Sequence, residues 1–123
     1  MSSLTRPLAG AELLYDLPVE LALLREPETD LLNGRTARTL VKEGPLRVTL
    51  VALAPGGSMA RHETAGPILV QPVDGEVLIT VGARLHALRP GELLSLGPHV
   101  PHSLESRTGG SFLLTVVLPP AAD

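Results

Sequence analysis

Short apolar runs, each stopped by a glycine or proline turn, dominate this chain beyond about residue 45. The runs over residues 46–53 and 111–118 are rich in valine, leucine and threonine, which favour extended strands. Another run, over residues 85–88, stops at Arg89-Pro90-Gly91, and a further one, over residues 92–96, stops at Gly97-Pro98. Many short strands with turns at spacings of about 8–12 residues predict an all-β sandwich or barrel.

Two local patterns refine this prediction. The apolar runs over residues 68–73 and 76–81 flank Asp74-Gly75, a dipeptide typical of the tight turn in a β-hairpin. Nearer the N-terminus, the run over residues 17–24 predicts a short helix, in which Pro18 is tolerated because it falls in the first turn. We therefore expect one short helix followed by β structure.

The amino-acid composition is that of one globular domain. Hydrophobic residues make up 44% of the 123 residues, which is enough for a packed core. Aromatic residues are only 2%, namely Tyr15 and Phe112, so valine, leucine and alanine must fill that core. No linker or internal repeat divides the chain.

Charge and cysteine content exclude several classes of function. The formal net charge of −3 gives no electrostatic reason to bind nucleic acid or an anionic membrane. Cysteine is absent, which excludes disulfides, thiolate catalysis and cysteine-based zinc sites. We see no signal-peptide profile and no apolar run near the roughly 20 residues of a membrane span, so we expect a cytoplasmic protein.

Several predicted strands are apolar on both faces. For example, the apolar residues Val51, Ala52 and Leu53 follow one another without a polar residue between them. A strand of this kind must bury both of its faces. In a small barrel, another subunit or another segment of the chain must then cover the outward apolar face. We expect a homodimer, and the alternative is that the N-terminal segment packs over one sheet.

Two histidine-bearing stretches carry a resemblance to a known family. They read Gly57-Ser-Met-Ala-Arg-His62-Glu-Thr64 and Gly91-Glu-Leu-Leu-Ser-Leu-Gly-Pro98-His99-Val-Pro101-His102. Together they resemble the two signature motifs of the cupin superfamily, and the resemblance covers about residues 38–118. The chain is most similar to small, single-domain bacterial cupins of unassigned activity.

The resemblance implies an RmlC-like jelly roll, which is a double-stranded β-helix barrel. It divides the chain into an N-terminal extension with a short helix, over residues 1–37, and a single cupin barrel, over residues 38–123. It also shows where the first motif departs from the family pattern. Thr64 replaces the second histidine, and Ile68 stands where a glutamate belongs, whereas His62 and His102 match histidine positions.

These matches imply a set of candidate site residues. The predicted ligand pocket contains His62, Thr64, Gln71, His102 and Phe112. His62 and His102 are the candidate metal ligands, with Gln71 and His99 as further candidates. Gln71 should face away from His62 by simple alternation, but Pro72 suggests a bulge that would turn it inward.

Three functions follow from this site. The first is small-molecule binding in the barrel pocket with a degenerate metal site. The second is a metal-dependent enzyme of the dioxygenase, isomerase or decarboxylase type, in which His62 and His102 hold one divalent Fe, Mn, Ni or Zn ion. The third is a structural dimer with a vestigial pocket and no metal. The loss of the second histidine and the glutamate favours the first and third functions.

Overall fold

The computed structural model describes residues 7–26 and 34–120. These residues form one helix and nine strands. In chain order they are α1 (Leu17–Leu24), β1 (Arg35–Glu43), β2 (Leu46–Leu53), β3 (Ser58–His62), β4 (Ile68–Gly75), β5 (Val77–Val81), β6 (Arg84–Leu88), β7 (Leu94–Leu96), β8 (His102–Glu105) and β9 (Gly110–Val117).

The strands form two antiparallel sheets. One sheet has five strands in the order β1-β2-β9-β4-β7, and the other has four in the order β3-β8-β5-β6. Most neighbours in space are distant in sequence, since the chain crosses repeatedly from one sheet to the other. This is the jelly-roll arrangement that the sequence predicts, and the predicted helix over residues 17–24 is also confirmed.

The predicted hairpin at Asp74-Gly75 is wrong. β4 pairs with β7 and β9, whereas β5 pairs with β6 and β8, so the turn carries the chain between the sheets. A bulge between Pro72 and Asp74 bends the end of β4, and Gly75 has a φ of 69°. An Asp-Gly pair can adopt the same turn conformation in a hairpin and in a connection between two sheets. The dipeptide therefore does not specify which of the two forms.

The barrel interior is filled by aliphatic side chains and one aromatic ring. Phe112 is fully buried, and residues from both sheets surround it. The buried members of this interior core are Val51, Leu53, Ile68, Val70, Val77, Ile79, Val81, Leu88, Leu96, Leu104 and Phe112. The middle of the barrel is therefore a packed core, and a ligand site has to lie towards its end.

A second core lies on the outer face of the five-stranded sheet. Leu21 and Leu24 of α1 pack there against Leu40, Leu50 and Ala52 of β1 and β2. Strands β1 and β2 bury apolar residues on this face because the helix covers it. The alternative in which the N-terminal segment covers one sheet is therefore confirmed, and the homodimer stays a prediction.

Polar contacts fix the helix on the sheet. The Asp16 carboxylate caps the first turn by accepting a hydrogen bond from the Val19 amide at 3.3 Å. The Thr36 hydroxyl donates a hydrogen bond to the Leu24 carbonyl at 3.2 Å. This bond satisfies a carbonyl in the last turn of α1 that has no partner within the helix. The predicted boundary between residues 37 and 38 falls inside β1, because this strand begins at Arg35.

Only α1 is helical among residues 7–26 and 34–120, and it is too short to cross a membrane.

Candidate functional site

His62 and His102 lie side by side at one end of the four-stranded sheet. β3 and β8 are antiparallel, and their register places these residues directly opposite each other. Directly opposite residues project from the same face of a sheet, so the imidazole rings meet. Their ring centroids are 4.4 Å apart and the ring planes cross at 60°. The structure thus brings together the two histidines that the sequence singles out.

Backbone carbonyls hold both rings in the same way. Nδ1 of His62 lies 2.9 Å from the Ala60 carbonyl oxygen, and Nδ1 of His102 lies 2.9 Å from the Val100 carbonyl oxygen. A carbonyl can only accept a hydrogen bond, so each Nδ1 carries the proton and donates it. When the ring is neutral, its Nε2 then has a free lone pair that can accept a hydrogen bond or bind a cation.

The surroundings of His102 favour its neutral form. Burial lowers the pKa of His102 below its ordinary value, the Val100 hydrogen bond acts in the opposite direction, and nearby His62 lowers the pKa further. His102 is 2% exposed. Its Nε2 is buried and has no hydrogen-bond partner within residues 7–26 and 34–120. A buried acceptor without a partner costs free energy and is rare in native proteins.

The residues around Thr64 form a local turn beside this pair. β3 ends at His62, so Thr64 lies in the following loop, outside the strand. Its hydroxyl donates to the Gly66 carbonyl at 2.8 Å, and its own carbonyl accepts from the His99 amide at 2.8 Å. Thr64 therefore organises the loop with its polar atoms.

His99 lies in an exposed turn. It has a φ of 62°, and its Nδ1 lies 3.7 Å from a Glu63 carboxylate oxygen. Both side chains are more than half exposed, at 65% and 52%. His99 is therefore oriented towards Glu63, and no contact joins it to the His62–His102 pair among the described residues.

The structure places the last two predicted pocket residues elsewhere. Gln71 is exposed, whereas its neighbours Val70 and Pro72 are buried, so simple alternation holds through this part of β4. The bulge comes after Pro72 and does not turn Gln71 inward. Phe112 is 0% exposed and belongs to the interior core, with no surface left to line an open pocket.

The donor atoms near the histidine pair are few. Ile68, at the position of the missing glutamate, is buried in the apolar core. No group of three or more His, Cys, Asp or Glu residues within 7–26 and 34–120 is arranged to hold a metal ion. The described residues thus offer two imidazole nitrogens and no carboxylate, whereas a catalytic metal usually has three or four protein ligands.

A cavity of about 610 Å³ opens beside His102. The turn between β5 and β6, the segment that enters β8, and Arg61 of β3 surround it. Arg61 and Arg84 are its charged lining residues, and sequence reasoning missed both. Arg61 immediately precedes His62 in the first motif, which is a signal that could have drawn attention to it.

Solved structures with this fold are numerous. A cupin superfamily protein from Desulfitobacterium hafniense is 20% identical over 78% of this chain and 95% of its own, with a TM-score of 0.67. An RmlC-like cupin from Shewanella frigidimarina is 22% identical over 73% of this chain and 81% of its own, with a TM-score of 0.68. A conserved protein of unknown function from Streptococcus pyogenes is 26% identical over 92% of both chains, with a TM-score of 0.70.

Comparison of sequences alone identifies no family and no curated relative, since no protein-family model matches the chain and no curated protein is similar to it at a significant level. The evidence for its likeness to these proteins is the arrangement of the two sheets. By its topology and by these structural neighbours, the chain has the fold of the cupin superfamily.

Proposed function

We propose that this protein binds a small polar molecule at the end of its barrel, with His62 and His102 as the central polar groups. The observation that carries the proposal is the buried Nε2 of His102, which has no partner within the described residues although its Nδ1 is held in place. Leaving such a nitrogen without a hydrogen bond costs free energy. A ligand with a hydroxyl or amine donor would remove this cost by donating a hydrogen bond to Nε2.

Several features support binding over catalysis. Among the described residues, the donor set at the pair lacks the carboxylate and the third histidine that a firmly held catalytic metal would use. Imidazole rings whose Nδ1 atoms are held by backbone carbonyls are instead suited to select a ligand by its hydrogen-bond donors. A few polar groups beside an apolar interior are usual for small-molecule sites.

A second candidate is a divalent metal ion held by the same pair. It is favoured by one observation, namely that both Nδ1 atoms donate to carbonyls, as the outer nitrogen of a metal-bound histidine commonly does. His62 and His102 would supply two ligands through Nε2, and such an ion would polarise a bound oxygen atom. Neither Gln71 nor His99 contributes to this pair in the structure.

The proposal is tested by a thermal-shift screen of small polar metabolites, followed by calorimetry on the compounds that raise the unfolding temperature. Ligand binding should be lost in His62→Gln and His102→Gln. The matched control is His99→Asn, which removes an exposed imidazole and keeps a residue that tolerates a positive φ. Circular dichroism checks that each variant is folded.

The same samples distinguish the alternatives. Elemental analysis of untagged, dialysed protein should find well below one equivalent of transition metal. About one equivalent that disappears in His62→Gln would favour the metal-dependent enzyme instead. Absence of both a ligand and a metal, in protein that is found to be dimeric in solution, would favour the structural dimer.

A further inference from the structure

The cavity beside His102 differs in charge from the rest of the molecule. The whole chain carries a formal net charge of −3, yet the charged side chains that line this cavity are the cations Arg61 and Arg84. None of the described residues that line it is acidic. Clefts lined by one sign of charge attract ligands of the opposite sign.

Strand pairing places Arg84, which lines the cavity, on the inner face of the four-stranded sheet. Arg84 lies opposite Val81 in the antiparallel pair of β5 and β6, so both residues project from the same face of the sheet. Val81 is 5% exposed and belongs to the interior core, which identifies this face as the inner one. Arg84 is therefore an exposed cation on the inner face, at the point where the apolar core ends.

Arg61 belongs to the other edge strand of the four-stranded sheet, β3, and also lines the cavity. It lies in the irregular part of β3, between Met59 and His62, where the pairing with β8 changes register. His102 lines the cavity together with the two arginines. Arg61 and His102 are thus parts of one site, and His62 adjoins it through its ring contact with His102.

Three other arginines of the described residues already have an acidic partner. Arg25 pairs with Asp74, Arg107 with Glu76 and Arg38 with Glu20. Arg61 and Arg84, by contrast, form no ion pair or hydrogen bond with another side chain of residues 7–26 and 34–120. Their donors are available to a ligand, and a guanidinium can bind a carboxylate or phosphate group with two parallel hydrogen bonds.

We propose that this cavity binds a small organic anion, whose carboxylate or phosphate group is held by Arg61 and Arg84. The volume of about 610 Å³ lies within the usual range of small-molecule sites. The inference deepens the proposed function of the same site, since it gives the chemical class of the ligand that lies beside the histidine pair.

Isothermal titration calorimetry of the intact chain tests the proposal with three probes. Succinate supplies carboxylates, glycerol 3-phosphate supplies a phosphate, and glycerol is the uncharged control. The variants are Arg61→Gln and Arg84→Gln, which remove one guanidinium each from exposed positions. The matched control is Arg89→Gln, because Arg89 is also exposed and does not line the cavity.

We expect at least one of the two anions to bind, and glycerol not to bind. Each cavity variant should weaken binding roughly tenfold or more, which is the usual effect of losing a charged hydrogen-bond partner. The Arg89→Gln variant should bind like the unmodified chain. Whichever anion binds identifies the group that the arginines recognise, and its affinity should fall as salt is raised.

Two results would overturn the proposal. One is that neither anion binds the unmodified chain at millimolar concentration. The other is that Arg89→Gln weakens binding as much as the cavity variants, since the effect would then come from net charge alone.

The histidine variants separate this proposal from the proposed function. If neither anion binds but a metabolite from the screen binds and is lost in His62→Gln, the anion proposal fails and the histidine site stands. If an anion binds through both arginines and His62→Gln and His102→Gln leave its affinity unchanged, the arginine site stands and the histidine site fails.

Discussion

The carboxylate of Glu20 lies 2.7 Å from the guanidinium of Arg38, between α1 and the outer face of the five-stranded sheet. The Glu20 side chain is 1% exposed and the Arg38 side chain 14%. Removing one member of such a pair leaves a buried charge without its counterion. We expect Glu20→Ala to lower the free energy of unfolding by about 3–5 kcal/mol, measured by urea denaturation.

Two further variants show whether the charge is the cause. Glu12→Ala removes an exposed carboxylate from the same segment and should change stability by less than about 0.5 kcal/mol. Glu20→Leu combined with Arg38→Leu removes both charges, and it should be clearly more stable than Glu20→Ala alone. Equal losses in the single and double variants would contradict this account.

Asp74 gives the stability of the protein a defined dependence on pH. Hydrogen bonds from Arg25 lower the pKa of Asp74, burial acts in the opposite direction, and the Ser111 hydroxyl lowers it further by donating at 2.6 Å. The folded pKa is thus below that of the unfolded chain, about 3.9. The stabilisation is present above that value and is lost as pH falls through the folded pKa.

Arg25→Gln should therefore reduce the loss of stability on acidification. At pH 7 its cost should be below about 1 kcal/mol, because the Arg25 and Asp74 side chains are 41% and 46% exposed and water screens their attraction. Urea denaturation at neutral pH and near pH 3 measures both effects. An unchanged difference between the two conditions would show that this pair does not set the acid sensitivity.

Gly66 is required where the loop after β3 passes the end of β9. A Cβ atom at Gly66 would collide with the backbone carbonyl of Val117, and hydrogen bonds from the Val117 and Leu118 amides hold this backbone in place. We expect Gly66→Ala to cost about 1–3 kcal/mol in urea denaturation. Gly97→Ala is the control, since no atom lies within 4 Å of its added Cβ, and it should change stability by less than about 0.5 kcal/mol.

The histidine pair has a spectroscopic signature. Nitrogen-detected NMR should find both His62 and His102 as the Nδ1–H tautomer when neutral, because both Nδ1 atoms face carbonyls. His102 should titrate below the ordinary value of about 6.5, and His62→Gln should raise its midpoint, since it removes a neighbouring charge. A His102 midpoint at or above 6.5 would contradict the burial described above.

Much of the fold could be predicted because it depends on local sequence. β2 has the predicted bounds, residues 46–53, because a β-branched run ends there at a proline turn. The helix over residues 17–24 has its predicted bounds as well, with Pro18 in its first turn. The turn at Asp74-Gly75 shows the limit, since its residues specify the bend but not which strands pair on either side.

The site could be predicted only in part. His62 and His102 belong to recognisable motifs, and the register of β3 against β8 joins them. Arg84 belongs to no motif, and only its pairing with Val81 shows which face it occupies. The orientation predicted for Gln71 depended on the exact position of a bulge, and that bulge lies just beyond Pro72. Such one-residue differences in register decide which side chains share a site.

The N-terminal segment has a consequence for how the protein resists self-association. The Leu8 carbonyl accepts a hydrogen bond from the Lys42 amide at 2.8 Å, so this segment occupies part of the outer edge of β1. The same segment carries α1 over the apolar face formed by Leu40 and Leu50. Detachment of this segment would expose an unpaired strand edge and an apolar sheet face together. Both features promote intermolecular β-sheet aggregation.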